Sequence, residues 1–203
     1  MAVYHILIFE VIMLTPRSPI IIFCEGKTEF TYVQNLARLL REYNSSIQLI
    51  PKDIGGGTVI NIRKKIKEYR KNNKKLEGSL LLRDYDVVLW DRHEEITSIQ
   101  LGVNILYSYQ NFEDFLVLHM PDNIVREWVT STTQAGHFSK PLHAEDYLNL
   151  FRQIVCPNYK KGELPFELTV DLLNKMLANN NDEKLSIHSD FAIWIKENCV
   201  GIF

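Results

Sequence analysis

Cysteine is scarce in this chain. Three thiols, Cys24, Cys156 and Cys199, stand far apart in 203 residues, an odd number with no Cys-x-x-Cys or Cys/His spacing. That rules out a disulfide framework or a zinc knuckle and reads as reduced thiols in a cytosolic protein. Long hydrophobic runs are missing too. The first fourteen residues are apolar but broken by Glu10, and no Lys or Arg precedes them. Their uninterrupted stretches fall short of the roughly 20 residues that cross a bilayer, and they lack the layout of a signal peptide. Residues 1–18 are therefore expected to be an apolar extension, either an added strand or a start placed too early with Met13 as the true start. No large charge of one sign is present either: the formal net charge is -2, so bulk electrostatics point to no polyanionic partner. Three catalytic signatures are absent as well. There is no Gly-x-Ser-x-Gly elbow, no paired spacing among His93, His137 and His143, and no Lys-Ser/Thr ending on the turn Gly55 to Thr58. Serine hydrolysis, zinc hydrolysis and P-loop ATP hydrolysis thus find no support.

What is present suits one ordinary core, with 46% hydrophobic and 24% charged residues. From Pro19 onward short apolar runs alternate with amphipathic segments, the pattern of a sheet flanked by helices, so residues 19–203 read as a single α/β domain. Pro19 to Cys24, Ile47 to Ile50, Leu80 to Leu82 and Val103 to Tyr107 are predicted strands. Helices are predicted from Thr28 to Tyr43, after an N-cap at Thr58, and from about Asn111 to His119. Beyond Pro121 the texture turns helical, with helices expected around Glu145 to Val155, Phe166 to Leu177 and Ser186 to Asn198. No repeat or linker divides the chain, so this helical extension is expected to pack on the sheet.

The chemistry is expected where strands end. In an open α/β sheet, ligands sit beyond the carboxyl ends of parallel strands. Glu25 follows the first strand; Asp84 and Asp86 follow the third. If those strands are neighbours, three carboxylates meet, and their repulsion calls for a cation. Carboxylate oxygens with water suit Mg²⁺, with Mn²⁺ as a substitute. Glu29 lies close behind Glu25. Glu113, at a helix start, either reaches the same crevice or complements the helix dipole. The helix after Gly55-Gly-Gly carries Arg63, Lys64, Lys65, Lys67, Arg70 and Lys71 on one face, either tracking a phosphate backbone or facing water. Gly56, Gly57 and Thr58 at its start either cradle an anion or merely reverse the chain. Lys160 and Lys161 either grip a phosphate or are solvated. Cys24 and His119 read as core residues.

Five segments carry a resemblance: Ile20-Ile-Ile-Phe-Cys-Glu-Gly-Lys-Thr-Glu29, Gly55-Gly-Gly-Thr58 opening a basic helix, Asp84-Tyr-Asp86, Asn111-Phe-Glu-Asp-Phe-Leu-Val-Leu-His119 and Tyr159-Lys-Lys-Gly162. In that order, across about Ile20 to Asn198, they resemble the RloB family, which is similar in turn to TOPRIM domains, the catalytic modules of topoisomerases, primases and OLD-type nucleases. The resemblance implies a TOPRIM-like, mostly parallel sheet in which Glu25 is general acid/base and Asp84 and Asp86 hold Mg²⁺. It also implies a prokaryotic protein encoded among restriction or abortive-infection genes, with room for an ATPase partner encoded alongside. The sequence departs from the family pattern at Val87-Val-Leu-Trp90. A second register would make Asp91 the metal-binding carboxylate, although the spacing from Gly57 and to Phe112 favours Asp84. The expectation is a cytoplasmic, Mg²⁺-dependent phosphoryl-transfer enzyme, a nuclease, in which Lys27 or Lys160 neutralises developing charge. The alternative is a non-catalytic nucleic-acid or protein-binding subunit of a defence complex. Substrate and oligomeric state are left open.

Overall fold

The structure is a computed structural model and describes residues 18–57, 59–72, 78–85, 102–136 and 144–199. The apolar extension therefore lies outside the described residues, except for Ser18.

Five strands form one sheet in the order β2-β1-β3-β4-β5. They are β1 (Ser18–Cys24), β2 (Ile47–Asp53), β3 (Ser79–Asp84), β4 (Val103–Tyr109) and β5 (His188–Ser189). The first four are parallel and β5 runs antiparallel to β4. The mostly parallel α/β sheet expected from the sequence is what forms. Strand β1 is a continuous apolar run because both of its faces are covered. Its residues alternate between two cores: Ile20, Ile22 and Cys24 face one, and Ile21 and Phe23 face the other.

The larger core lies under α1 (Lys27–Glu42), α3 (Phe112–Val117) and the C-terminal helices, while α2 (Val59–Asn72) covers the opposite face with Ile62 and Ile66. In α1, Tyr32, Val33, Leu36 and Leu40 are fully buried along one stripe. Each contributes roughly 1.5–3 kcal/mol of apolar burial. The helix stops where Asn44 takes φ 53° and the Ser45 N–H returns to the Leu40 carbonyl at 2.9 Å, a left-handed ending that Asn tolerates.

Four elements depart most from their predicted bounds. Strand β2 runs on through Pro51 to Asp53, which an edge strand permits because its outer side needs no donor. Helix α4 (Asp122–Gln134), for which the sequence predicts no bounded helix, buries only Val125, Trp128 and Thr132, a stripe too narrow to read clearly. After α5 (Ala144–Ile154), α6 spans Val170–Asn180 rather than starting near Phe166, because Thr169 caps it by accepting from the Leu172 N–H at 3.3 Å. The helix expected from Ser186 starts only at Asp190 as α7 (Asp190–Asn198). His188 and Ser189 pair instead with Tyr109 and Ser108 of β4.

Candidate active site

Strand order decides what can meet. The chain leaves β1 toward β2 on one side, then crosses back to lay β3 on the other, so the order reverses between β1 and β3. That reversal opens a crevice at their carboxyl ends. The register pairs Cys24 with Leu82, which sets Glu25 level with Arg83 and leaves Asp84 one residue further out.

Glu25 and Arg83 form an ion pair: the Arg83 Nε–H donates to Glu25 Oε2 at 2.9 Å, with only 9% and 19% of the two side chains exposed. On its other side Glu25 approaches Gly56, where a Cβ would sit 3.8 Å from Glu25 Cγ. The glycine turn thus borders the crevice, with Gly55 at φ 56° and Gly57 at φ 144°.

Glu29 lies in the first turn of α1, only 4% exposed. Its carboxylate folds back over the helix start, so a Cβ on Gly26 would come within 2.5 Å of Glu29 Oε2. Burial, reinforced by the negative charges of Glu113 and Glu25, pushes the Glu29 carboxyl up to about 7, and Lys161 opposes the shift. Glu113, also 4% exposed, is raised by burial and eased by Lys161 and by the Tyr159 hydroxyl, which donates to Glu113 Oε1 at 3.1 Å.

Asp114 beside it has a different task. It accepts from the Gln110 N–H at 3.0 Å, the Asn111 N–H at 3.2 Å and the Trp128 indole at 2.7 Å, and Asn111 returns the bond to the Asp114 N–H. This capping box fixes the start of α3 and so holds Glu113 beside the Tyr159 hydroxyl. Glu113 lies in the first turn of α3, where it complements the helix dipole, and its charge also acts on Glu29.

The cation arrives from far along the chain. Gly162, at φ 97°, gives its N–H to Thr28 Oγ1 at 3.0 Å and accepts from the Thr31 hydroxyl at 2.8 Å. The Arg152 Nε–H holds the Tyr159 carbonyl at 3.0 Å. Pinned in this way, the loop delivers Lys161 as the lysine whose charge acts on both Glu29 and Glu113. Lys160 is exposed. Lys27 is also exposed, its stem lying against Gly162.

The residues singled out from the sequence therefore divide. Strand register brings Glu25 and Asp84 to the same end of β1 and β3, and Gly56 borders Glu25. Glu29 feels the charges of Glu25, Glu113 and Lys161, and Lys27 lies against Gly162. Asp86, Asp91 and Thr58 lie outside the described residues, as does any choice between the Asp84 and Asp91 registers. Among the described residues no group of three or more His, Cys, Asp and Glu side chains converges tightly enough to hold a metal ion as it stands. Cys24 is a buried thiol raised by desolvation, as a core residue should be. His119 is fully buried, accepting from the Tyr32 hydroxyl at 2.9 Å through Nε2 while its Nδ1–H donates to the Phe115 carbonyl at 3.2 Å.

Sequence reasoning gave no role to Arg83, Thr28, Thr31 or Tyr159. A signal for Arg83 existed: an arginine directly after the apolar run Leu80 to Leu82 of a buried strand must find a partner.

The profile of the RloB-like protein family matches residues 20–191. The chain belongs to the RloB-like family. Neither a search of curated proteins nor one of solved structures finds a match. The crevice described above lies within the matched span, from Glu25 through Gly162.

Proposed function

We propose that this RloB-like protein is a Mg²⁺-dependent phosphoryl-transfer enzyme, a nuclease with a TOPRIM-like site serving prokaryotic defence. One observation supports the reading: the strand-order reversal brings Glu25 and Asp84 to the same end of neighbouring strands, and Glu29 feels the charges of Glu25, Glu113 and Lys161, the last carried by a loop pinned to α1.

The residues fit a hard divalent ion. Their donors are carboxylate oxygens, and the burial that raises Glu29 and Glu113, to which Glu25 and Glu113 add repulsion at Glu29, is a cost that a nearby cation would reduce. Mg²⁺ needs only one or two protein carboxylates, with water completing its shell, so a preformed three-carboxylate cluster is not required. In this reading Asp84 and Glu25, with Asp86 beyond them, would hold the ion. When bound, it would polarise the scissile phosphate and stabilise the leaving oxygen.

The protein's own groups divide the remaining work. Arg83 orients Glu25. Glu29, whose proton is held to near neutrality, is matched to general acid/base transfer at neutral pH. Lys161 offsets negative charge developing on the phosphate, a role the sequence reading gave to Lys27 or Lys160.

The test is titration of Mg²⁺ and Mn²⁺ into wild type, Asp84→Ala and Glu29→Gln, with cleavage of single- and double-stranded DNA and RNA followed on the same samples. Asp84→Ala is expected to lose metal binding and cleavage together. Glu29→Gln is expected to bind metal and lose about 10²–10⁴-fold in rate, the usual worth of a general acid/base. Cleavage at wild-type rates by both variants would sink the proposal.

A second reading also has an observation behind it. Arg83 already occupies Glu25, the residue to which the resemblance assigns proton transfer, as suits a non-catalytic nucleic-acid-binding subunit. Salt-sensitive binding without cleavage, the same in Mg²⁺ and in EDTA, would favour it.

A further inference from the structure

Beside the crevice, on the α2 face of the sheet, a second cleft of about 520 Å³ opens between the carboxyl end of edge strand β2 and α2. Its floor is apolar and aromatic: Phe23, Ile54 and the ring of Tyr69, which meets Phe23 edge-on at 5.5 Å. Two cations stand on its walls. Lys52 holds its ammonium 5.4 Å over the Tyr69 ring. Lys65 donates to the carbonyls of Ile54 and Gly55, which fixes its charge at the glycine turn. Asn72 adds an amide. Of the acidic groups at the rim, Asp53 is engaged by the Gly55 N–H at 2.8 Å, and Glu68 stands on α2.

Position gives the cleft its meaning. Asp53 pairs with Cys24 in register, so the cleft starts about one strand spacing, roughly 4.8 Å, from the strand that leads into Glu25. Only the turn at Gly55 to Gly57 separates them. Beyond the cleft, α2 carries Arg63, Lys64, Lys65, Lys67, Arg70 and Lys71 against the single acid Glu68.

We infer that this cleft receives an unpaired nucleobase of a single-stranded nucleic acid, whose backbone runs from the carboxylate crevice past the glycine turn onto α2. The inference rests on the reading above for the ligand it names. An aromatic floor flanked by cations is how single strands are held, because every base has a stacking face and the phosphates follow the charge. A duplex keeps its bases stacked inside and offers none to such a cleft. An entering base takes the place of Lys52 over Tyr69, which frees that ammonium for the adjoining phosphate.

The experiment measures anisotropy of a short labelled oligothymidylate, and of a duplex of equal length, in EDTA so that no metal-dependent cutting occurs. Wild type is expected to prefer the single strand. Tyr69→Leu is expected to weaken that binding by about 5- to 150-fold, the worth of one stacked base, while Tyr69→Trp retains it. Lys52→Met is expected to lower the slope of log affinity against log salt by about one. If Tyr69→Leu does not fold, the Tyr69→Trp and Lys52→Met results decide.

Equal binding of duplex and single strand, or a folded Tyr69→Leu protein with unchanged affinity, would overturn the inference even if the enzyme cuts. Single-strand binding that depends on Tyr69, from a protein that never cuts in Mg²⁺, would leave the cleft standing and remove the nuclease reading alone.

Discussion

Glu29 and His119 are both buried, and burial moves them in opposite directions. The Glu29 carboxyl rises from 4.5 to about 7, so the folded protein holds this proton more tightly than the unfolded chain does. Its contribution to stability is therefore full below about pH 4.5 and is lost as the pH rises through about 7. Removing the charge should remove the loss: metal-free Glu29→Gln is expected to show a flatter stability profile than wild type across that window in urea unfolding at stepped pH. His119 is lowered from 6.5 to about 3, mainly by burial. Its contribution is present above about pH 6.5 and disappears as the pH falls toward about 3. His119→Gln, which can still face the Tyr32 hydroxyl, is expected to resist acid better than wild type relative to its own stability at neutral pH. A variant that kept the wild-type acid slope would show that His119 does not drive it.

At the scale of elements, the contact between α1 and the loop at Tyr159 to Gly162 stands out because both ends of one residue are used. Gly162 is donor to Thr28 and acceptor from Thr31, and its φ of 97° excludes a side chain without strain. Gly162→Ala is expected to cost about 1 kcal/mol or more of stability. Its more telling effect is to loosen Lys161, raising Glu29 and Glu113 further; the Glu29 titration followed by carboxyl NMR is expected to move upward, and an unmoved titration would separate the clamp from the site. This contact also marks where the sequence stops being legible. The strands β1, β3 and β4 and the helix stripe of α1 could be read because period and composition are local properties. The pairing of Glu25 with Arg83 and the seating of Gly162 on α1 could not, since each depends on which segments the fold makes neighbours. Asp114 shows the same limit. Two adjacent acids read alike, and only their donors reveal that Asp114 builds α3 while Glu113 meets the Tyr159 hydroxyl.

Across the whole molecule, the reversal of strand order between β1 and β3 gathers groups from Glu25 to Gly162 around one opening. An ion bound there, as proposed, would stabilise the fold by mass action, by about 2.7 kcal/mol at one hundred times its dissociation constant. Mg²⁺ is expected to raise the melting temperature of wild type by several degrees and that of Asp84→Ala far less; equal shifts would place the ion elsewhere. The Thr31 and Thr28 bonds to Gly162 span 131 and 134 residues, and this span has a consequence in time. A ribosome adding about 5–20 residues per second releases Glu25 and Glu29 on the order of ten seconds before the lysine loop exists to face them. Until then the emerging chain carries the acids without their cation. The opening can be completed only once Gly162 has been added, so under the proposed function a fragment cut short before Tyr159 would be a poor cutter of any strand near the ribosome that made it.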